Sequence, residues 1–146
     1  MSDYICTVRS NYFHVKDPAS FRDFMGRVHG SVDFISLWQA QDEEGRPVFG
    51  FGSYGSIAGL KNAEADDDDL LDEGAYDEFI QGLQEHVAEG DAVILMETGH
   101  EKLCYVTGAA IILTSSGQEY LSLVELAAKR ASEMLGNPGW STQCDY

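Results

Sequence analysis

Cysteines, basic residues and long apolar runs are all scarce in this chain of 146 residues. Its three cysteines, Cys6, Cys104 and Cys144, are an odd number, are widely spaced and form no CxxC pair, which disfavours a disulfide framework and a zinc site. No apolar run approaches the roughly 18 residues that indicate a membrane span, and the N-terminal stretch lacks the basic and apolar blocks of a signal peptide. The sequence therefore predicts one domain, residues 1–146, in a reducing cytoplasm.

Acidic residues greatly outnumber basic residues in the chain. Nine Lys and Arg stand against 25 Asp and Glu, for a net charge of −16. Fourteen of the acids and none of the bases lie between Asn62 and Glu101, while the remaining 106 residues are close to neutral. Such a field repels nucleic acid and anionic membranes. We therefore expect no direct nucleic-acid binding and no membrane binding, and instead a basic partner, a cation or a solubilising role.

Hydrophobic periodicity and turn residues predict the element order β-α-β-β-α-β-β-α. The first strand covers Tyr4–Val15. A helix follows, with Asp17 as its N-cap and Pro18 in its first turn, and it ends at Gly30. Two further strands are predicted at Ser31–Gln41 and at 48–57.

The second half of the chain begins with an acidic loop at about 62–74, followed by a helix whose apolar residues recur from Tyr76 to Val87. Two strands then flank a predicted turn at Thr98–Glu101. The capping-box pattern of Ser116 and Glu119 is expected to open a last helix that ends at Gly136. Its predicted inward side chains are Leu123, Val124, Ala127, Ala131 and Leu135.

These elements indicate an α+β fold with an antiparallel sheet of about five strands and helices packed on one face. The first six elements also match the β-α-β-β-α-β order of a ferredoxin-like core. Aromatic residues on an open sheet face would form an interaction patch, so a homodimer is a further expectation.

The stretch Ala63–Phe79 carries nine acidic residues among seventeen. Asp72 and Glu73 fit the start of a helix, where negative charge meets the positive end of the helix dipole. Asp66–Asp69 have no such local reason, and their spacing lacks the alternation and the glycine of an EF-hand loop. The candidate partner-binding residues are Asp66, Asp67, Asp68, Asp69, Asp72, Glu73, Asp77, Glu78, Glu85 and Glu89.

Residues with catalytic chemistry are dispersed. No G-x-S-x-G motif is present, and no pair of histidines has the spacing of zinc ligands. An enzyme could assemble its site from dispersed residues such as the adjacent His100 and Glu101, which are in principle an acid/base pair. We predict no catalytic residues, no metal and no cofactor, and keep a small enzyme of unknown reaction as an alternative.

Three motifs carry a resemblance to a known group of proteins: Ser10–Phe13 (SNYF), Val15–Asp17 (VKD) and Gly99–Gly108 (GHEKLCYVTG). The chain resembles small acidic proteins of phages and integrative elements, several of which counter host defence. The resemblance implies a mobile-element origin, an anti-CRISPR or antirestriction role, and a location in the cytoplasm of a bacterial host. It attaches no catalytic residue to these motifs.

Charge and resemblance together predict a non-enzymatic inhibitor that binds a basic, nucleic-acid-handling surface of a host defence complex, such as a nuclease or a CRISPR effector. Carboxylates would occupy the positions of DNA phosphates, in the manner of a DNA mimic. An immunity or regulatory protein that blocks a basic toxin or nuclease would use the same electrostatics. The sequence leaves these alternatives open.

Overall fold

The computed structural model describes residues 4–32, 34–60 and 75–143. In chain order the elements are β1 (Ile5–Ser10), α1 (Pro18–Met25), β2 (Val28–Gly30), β3 (Ser36–Gln41), β4 (Pro47–Tyr54), β5 (Ile57–Leu60), α2 (Ala75–His86), β6 (Val93–Glu101), β7 (Tyr105–Thr114), β8 (Gly117–Ser122) and α3 (Leu123–Leu135). None of the helices in these ranges has the length and apolarity needed to cross a bilayer.

A six-stranded sheet in the order β3-β4-β1-β6-β7-β8 forms the centre of the fold, and each neighbouring pair in it is antiparallel. A separate antiparallel pair joins β2 to β5. The predicted α+β class with an antiparallel sheet is confirmed. The arrangement is not ferredoxin-like, because a βαβ unit links parallel strands and both neighbours of β1 run antiparallel to it.

One face of the sheet, here named the covered face, packs against α1 and α2. It carries buried side chains of the central strands, such as Val8 on β1 and Phe51 on β4. The Phe21 ring of α1 lies 5.2 Å from that of Phe49, and the Phe79 ring of α2 lies 6.0 Å from that of Phe51. Edge-on and tilted aromatic pairs of this kind each add about 0.5–1.5 kcal/mol beyond the burial of their area.

The N-terminal helix begins as predicted and ends early. The Asp17 side chain accepts a hydrogen bond from the backbone N–H of Ala19, and Pro18 occupies the first turn. The helix ends at Met25 rather than at Gly30, because Val28–Gly30 leave it to pair with β5.

The predicted strands of the first half are shorter than expected. The strand predicted at Tyr4–Val15 is β1, followed only by isolated bridges at Phe13 and Val15. Among the described residues of the strand predicted at 31–41, Ser36–Gln41 form β3, and the strand predicted at 48–57 divides into β4 and β5. The division falls at Gly55, whose φ of +88° suits a residue without a Cβ.

Two element boundaries predicted in the second half are wrong. Strand β6 continues through Glu101, so the turn lies after it and contains Lys102, with a φ of 51°. Ser116 and Glu119 do not start a helix, because β8 pairs with β7 over this stretch. The last helix, α3, begins after Ser122 instead. Ser122 is its N-cap, and the Ser122 Oγ accepts a hydrogen bond from the backbone N–H of Glu125 at 3.5 Å.

Helix α3 does not join the other two helices. It begins on the opposite face of the sheet, here named the open face, where a Cβ at Gly108 would lie 3.0 Å from Leu123 Cδ2. Because α3 follows directly on the terminal strand β8, it packs chiefly on β7 and β8 and covers little of the sheet. The side chains predicted to point inward are therefore mostly exposed, namely Leu123, Val124, Ala127 and Leu135, while Ala131 is half-buried. The homodimer stays a prediction.

Candidate functional site

Four of the predicted partner-binding residues lie within the described chain: Asp77, Glu78, Glu85 and Glu89. All four side chains are exposed. The other six, Asp66 to Asp69, Asp72 and Glu73, lie outside the described residues.

Helix α2 is apolar on one side and acidic on the other; its acidic side carries Asp77, Glu78 and Glu85, and Glu89 lies in the turn after the helix. Phe79 and Leu83 are fully buried, as is Val87 just beyond the helix. None of the ion pairs formed among the described residues involves the acidic side of α2. Negative charge is favourable near a helix N-terminus and unfavourable near its C-terminus. Helix stability therefore accounts for Asp77 and Glu78 in the first turn but not for Glu85 in the last.

The covered face of the sheet also carries a cavity that was not predicted from the sequence. A cavity of about 750 Å³ opens beside α2, over the part of the sheet formed by β1, β6, β7 and β8. Four tyrosines from four different segments and two carboxylates of β6 line it: Tyr4, Tyr76, Tyr105, Tyr120, Glu97 and Glu101. We name it the tyrosine pocket.

Glu97 is the electrostatic centre of the tyrosine pocket. It is half-buried, and its Oε2 accepts a hydrogen bond from Tyr4 Oη at 3.2 Å. Burial and then the Glu97 charge raise the pKa of Tyr4 to about 12. The same two causes, in the same order, raise the pKa of Tyr76 and that of Cys6. A single carboxylate is thus felt by groups on β1, on α2 and on the segment that precedes β1.

Three of the four tyrosine rings, those of Tyr4, Tyr105 and Tyr76, contact other rings of the fold. The Tyr4 ring meets the Tyr105 ring edge-on, with 5.9 Å between their centroids, and the Tyr76 ring lies 6.1 Å from the core residue Phe79. Gly99 makes room for Tyr4, because a Cβ there would lie 2.5 Å from the Tyr4 hydroxyl oxygen. The wall formed by Tyr4 therefore depends on a glycine in β6.

A charged cluster on the other side of the core ties three connecting segments together. His14 Nδ1 lies 2.8 Å from Asp91 Oδ2, and His14 Nε2 lies 2.8 Å from Asp42 Oδ2. Because ionised carboxylates only accept hydrogen bonds, this geometry favours the imidazolium form of the ring, in which both nitrogens donate. The hydrogen bonds to Asp42 and then to Asp91 raise the pKa of His14, and the bond from His14 is the main cause that lowers the pKa of Asp42 to about 2. With both nitrogens engaged, His14 serves as a structural link rather than as a general base.

Replacing His14 by glutamine is expected to lower the melting temperature by a few degrees near pH 6. Since the folded-state pKa of His14 is raised, its contribution is complete below the ordinary value of about 6.5 and is lost as the pH rises through the folded pKa. The difference from the wild type should therefore shrink at alkaline pH. Thermal melts from pH 5 to pH 9 measure it, with His100→Gln as the control. An equal difference at all pH values would contradict the assignment.

The residues of the enzyme alternative are not brought together. His100 and Glu101 are neighbours in β6, so their side chains point to opposite faces of the sheet. Cys104 is exposed in the turn that follows β6, and Cys144 lies outside the described residues. Within the described ranges, no group of three or more His, Cys, Asp or Glu side chains is placed to hold a metal ion.

Comparisons of the chain with protein-family models, with curated proteins and with solved structures gave no match. The acidic side of α2 and the tyrosine pocket are therefore the two features of the described residues that bear on function.

Proposed function

We propose that the protein is a non-enzymatic inhibitor from a phage or mobile element that binds a basic, nucleic-acid-handling surface of a host defence complex. The observation that carries the proposal is the acidic side of α2, which lies in the middle of a forty-residue stretch, 62–101, without Lys or Arg. Glu85 and Glu89 are exposed, form none of the ion pairs found among the described residues, and gain nothing from the helix dipole. Binding to a basic partner explains why these carboxylates are present, whereas the stability of the fold does not.

The mechanism is competition for a site that has evolved to bind phosphates. Duplex DNA presents one charge per roughly 1.7 Å of its axis, so a protein groove that binds it is rich in Lys and Arg. A helix with carboxylates along one side can occupy such a groove in place of the phosphates, and its binding does not depend on a nucleotide sequence. Complementary fields speed the encounter and make it sensitive to salt.

The test starts with capture of partners from a bacterial host lysate, followed by binding measurements with the purified partner. The double variant Glu85→Lys/Glu89→Lys is expected to weaken binding at least tenfold at about 50 mM salt, which corresponds to roughly 1.4 kcal/mol. Both changes place positive charge near the C-terminal end of α2, where the helix dipole favours it, so loss of binding would not reflect unfolding. Wild-type protein should also displace duplex DNA from the partner.

A matched control carries the same change of net charge elsewhere. Glu43→Lys/Glu119→Lys alters two exposed carboxylates outside the acidic stretch and should bind as the wild type does. Equal effects of the two double variants would show that net charge alone matters, and unchanged binding by both would refute the proposed surface. A toxin or nuclease encoded beside this protein, recovered as the partner, would point to an immunity role instead.

A further inference from the structure

The surroundings of Glu97 favour binding of a positively charged group beside its carboxylate. It is half-buried on the covered face, between the Tyr4 hydroxyl and an apolar floor that includes Val8 and Leu95. No Lys, Arg or His of the described chain forms an ion pair with it. A carboxylate withdrawn from water without a cation is costly, and a cation that entered the tyrosine pocket would offset that cost.

The aromatic walls select for the same kind of ligand. The faces of aromatic rings attract cations, and several rings arranged around one space are the usual means by which proteins hold an alkylated or delocalised cation. The four tyrosines of the pocket supply rings from β7, β8, α2 and the segment before β1. The volume of about 750 Å³ falls within the range of small-molecule sites and exceeds what a bare metal ion requires.

We propose that the tyrosine pocket binds the guanidinium group of an arginine side chain, which a basic partner inserts between the tyrosine rings and onto Glu97. Arginine fits better than lysine because its planar group stacks on aromatic rings and forms two parallel hydrogen bonds with one carboxylate. Tyr76 precedes Asp77 in the first turn of α2, so the pocket adjoins the N-terminal end of the acidic side of that helix. The inference deepens the proposed function and rests on it for the source of the arginine, whereas the cation selectivity of the pocket stands on its own residues.

The test is a titration of the full-length protein, followed through the NMR signals of the tyrosine rings. The probes are Nα-acetyl-arginine methylamide, its neutral citrulline counterpart and tetramethylammonium. The arginine probe should shift the Tyr4 and Tyr105 signals saturably, and the citrulline probe should bind at least about tenfold more weakly, since it has the same shape without the charge.

Two pairs of variants assign the binding to the pocket. Glu97→Gln keeps an acceptor for the Tyr4 hydroxyl and should weaken binding of the arginine probe at least about tenfold. Glu119→Gln removes one carboxylate from the open face and should leave binding unchanged. Tyr120→Leu, at a well-exposed position, should weaken binding about threefold or more, whereas Tyr54→Leu on the open face should not.

Several results would overturn the inference. Equal binding of the arginine and citrulline probes would show that the pocket does not select for positive charge. The absence of a saturable shift with either probe would show that the pocket does not bind an arginine side chain. Saturation by tetramethylammonium alone would refute the assignment to an arginine side chain. These outcomes are separable from failure of the proposed function, because the titrations contain no partner and leave the charges of α2 unaltered.

Discussion

Replacing Gly59 by alanine is expected to destabilise the fold by about 2–5 kcal/mol, a large share of the 5–15 kcal/mol typical of a domain. Gly59 has a φ of +132°, a conformation that residues with a Cβ rarely adopt. A Cβ there would also lie 2.4 Å from the carbonyl carbon and oxygen of Ala75. The backbone fixes the position of the Cβ, and the atoms that it meets are backbone atoms of Ala75. No side-chain rotation therefore relieves the contact, and α2 would have to move away from β5.

Chemical denaturation measures this effect, and Gly45→Ala provides the matched control. Gly45 also has a positive φ, of +80°, but a Cβ there would meet no atom within 4 Å. The control should therefore show only the cost of the backbone conformation. A Gly59→Ala variant no less stable than Gly45→Ala would mean that the close approach of α2 to β5 is not rigid.

Truncating Phe21 to alanine should cost about 3–5 kcal/mol, as for other fully buried phenylalanines. Phe21 has no exposed surface and joins α1 to the core together with Phe24 and Met25. Its ring lies 5.6 Å from Phe13, 5.2 Å from Phe49 and 5.9 Å from the His86 ring of α2. Removing it would leave a cavity between α1, the strand and the helix on which it packs.

A spectroscopic measurement tests the same substitution without relying on stability alone. Burial lowers the pKa of His86. Water that enters the space left by Phe21 should move this pKa up towards the ordinary value of about 6.5. Tyr54→Ala, at an exposed aromatic position, should change the stability by no more than about 0.5 kcal/mol and should leave His86 unaffected. A His86 titration unchanged in Phe21→Ala would argue against the packing described.

Local sequence signals predicted those features that depend on neighbouring residues. The cap at Asp17, the apolar side of α2 from Phe79 to Val87 and the C-terminal end of α3 at Gly136 are all present. Each arises from contacts within a few residues, which the order of side chains records directly.

The order of the sheet depends on pairings between distant segments, and local patterns do not encode them. The tyrosine pocket was missed for the same reason, since its four rings come from segments that only the fold brings together. One signal was available. Val93, Leu95, Glu97, Gly99 and Glu101 alternate along one face of a strand, but the predicted turn at Thr98 interrupted this series.

The position of β1 has a consequence for how the chain acquires its structure. Although β1 is the first strand, it lies in the middle of the sheet, where Ser10 pairs with Leu95 and Ile5 with His100. At a synthesis rate of about 5–20 residues per second, β1 waits on the order of ten seconds for β6 to emerge from the ribosome. Val8 lacks its β6 neighbour throughout that interval. Closure of this long loop, rather than formation of the helices, should therefore set the rate at which the protein folds.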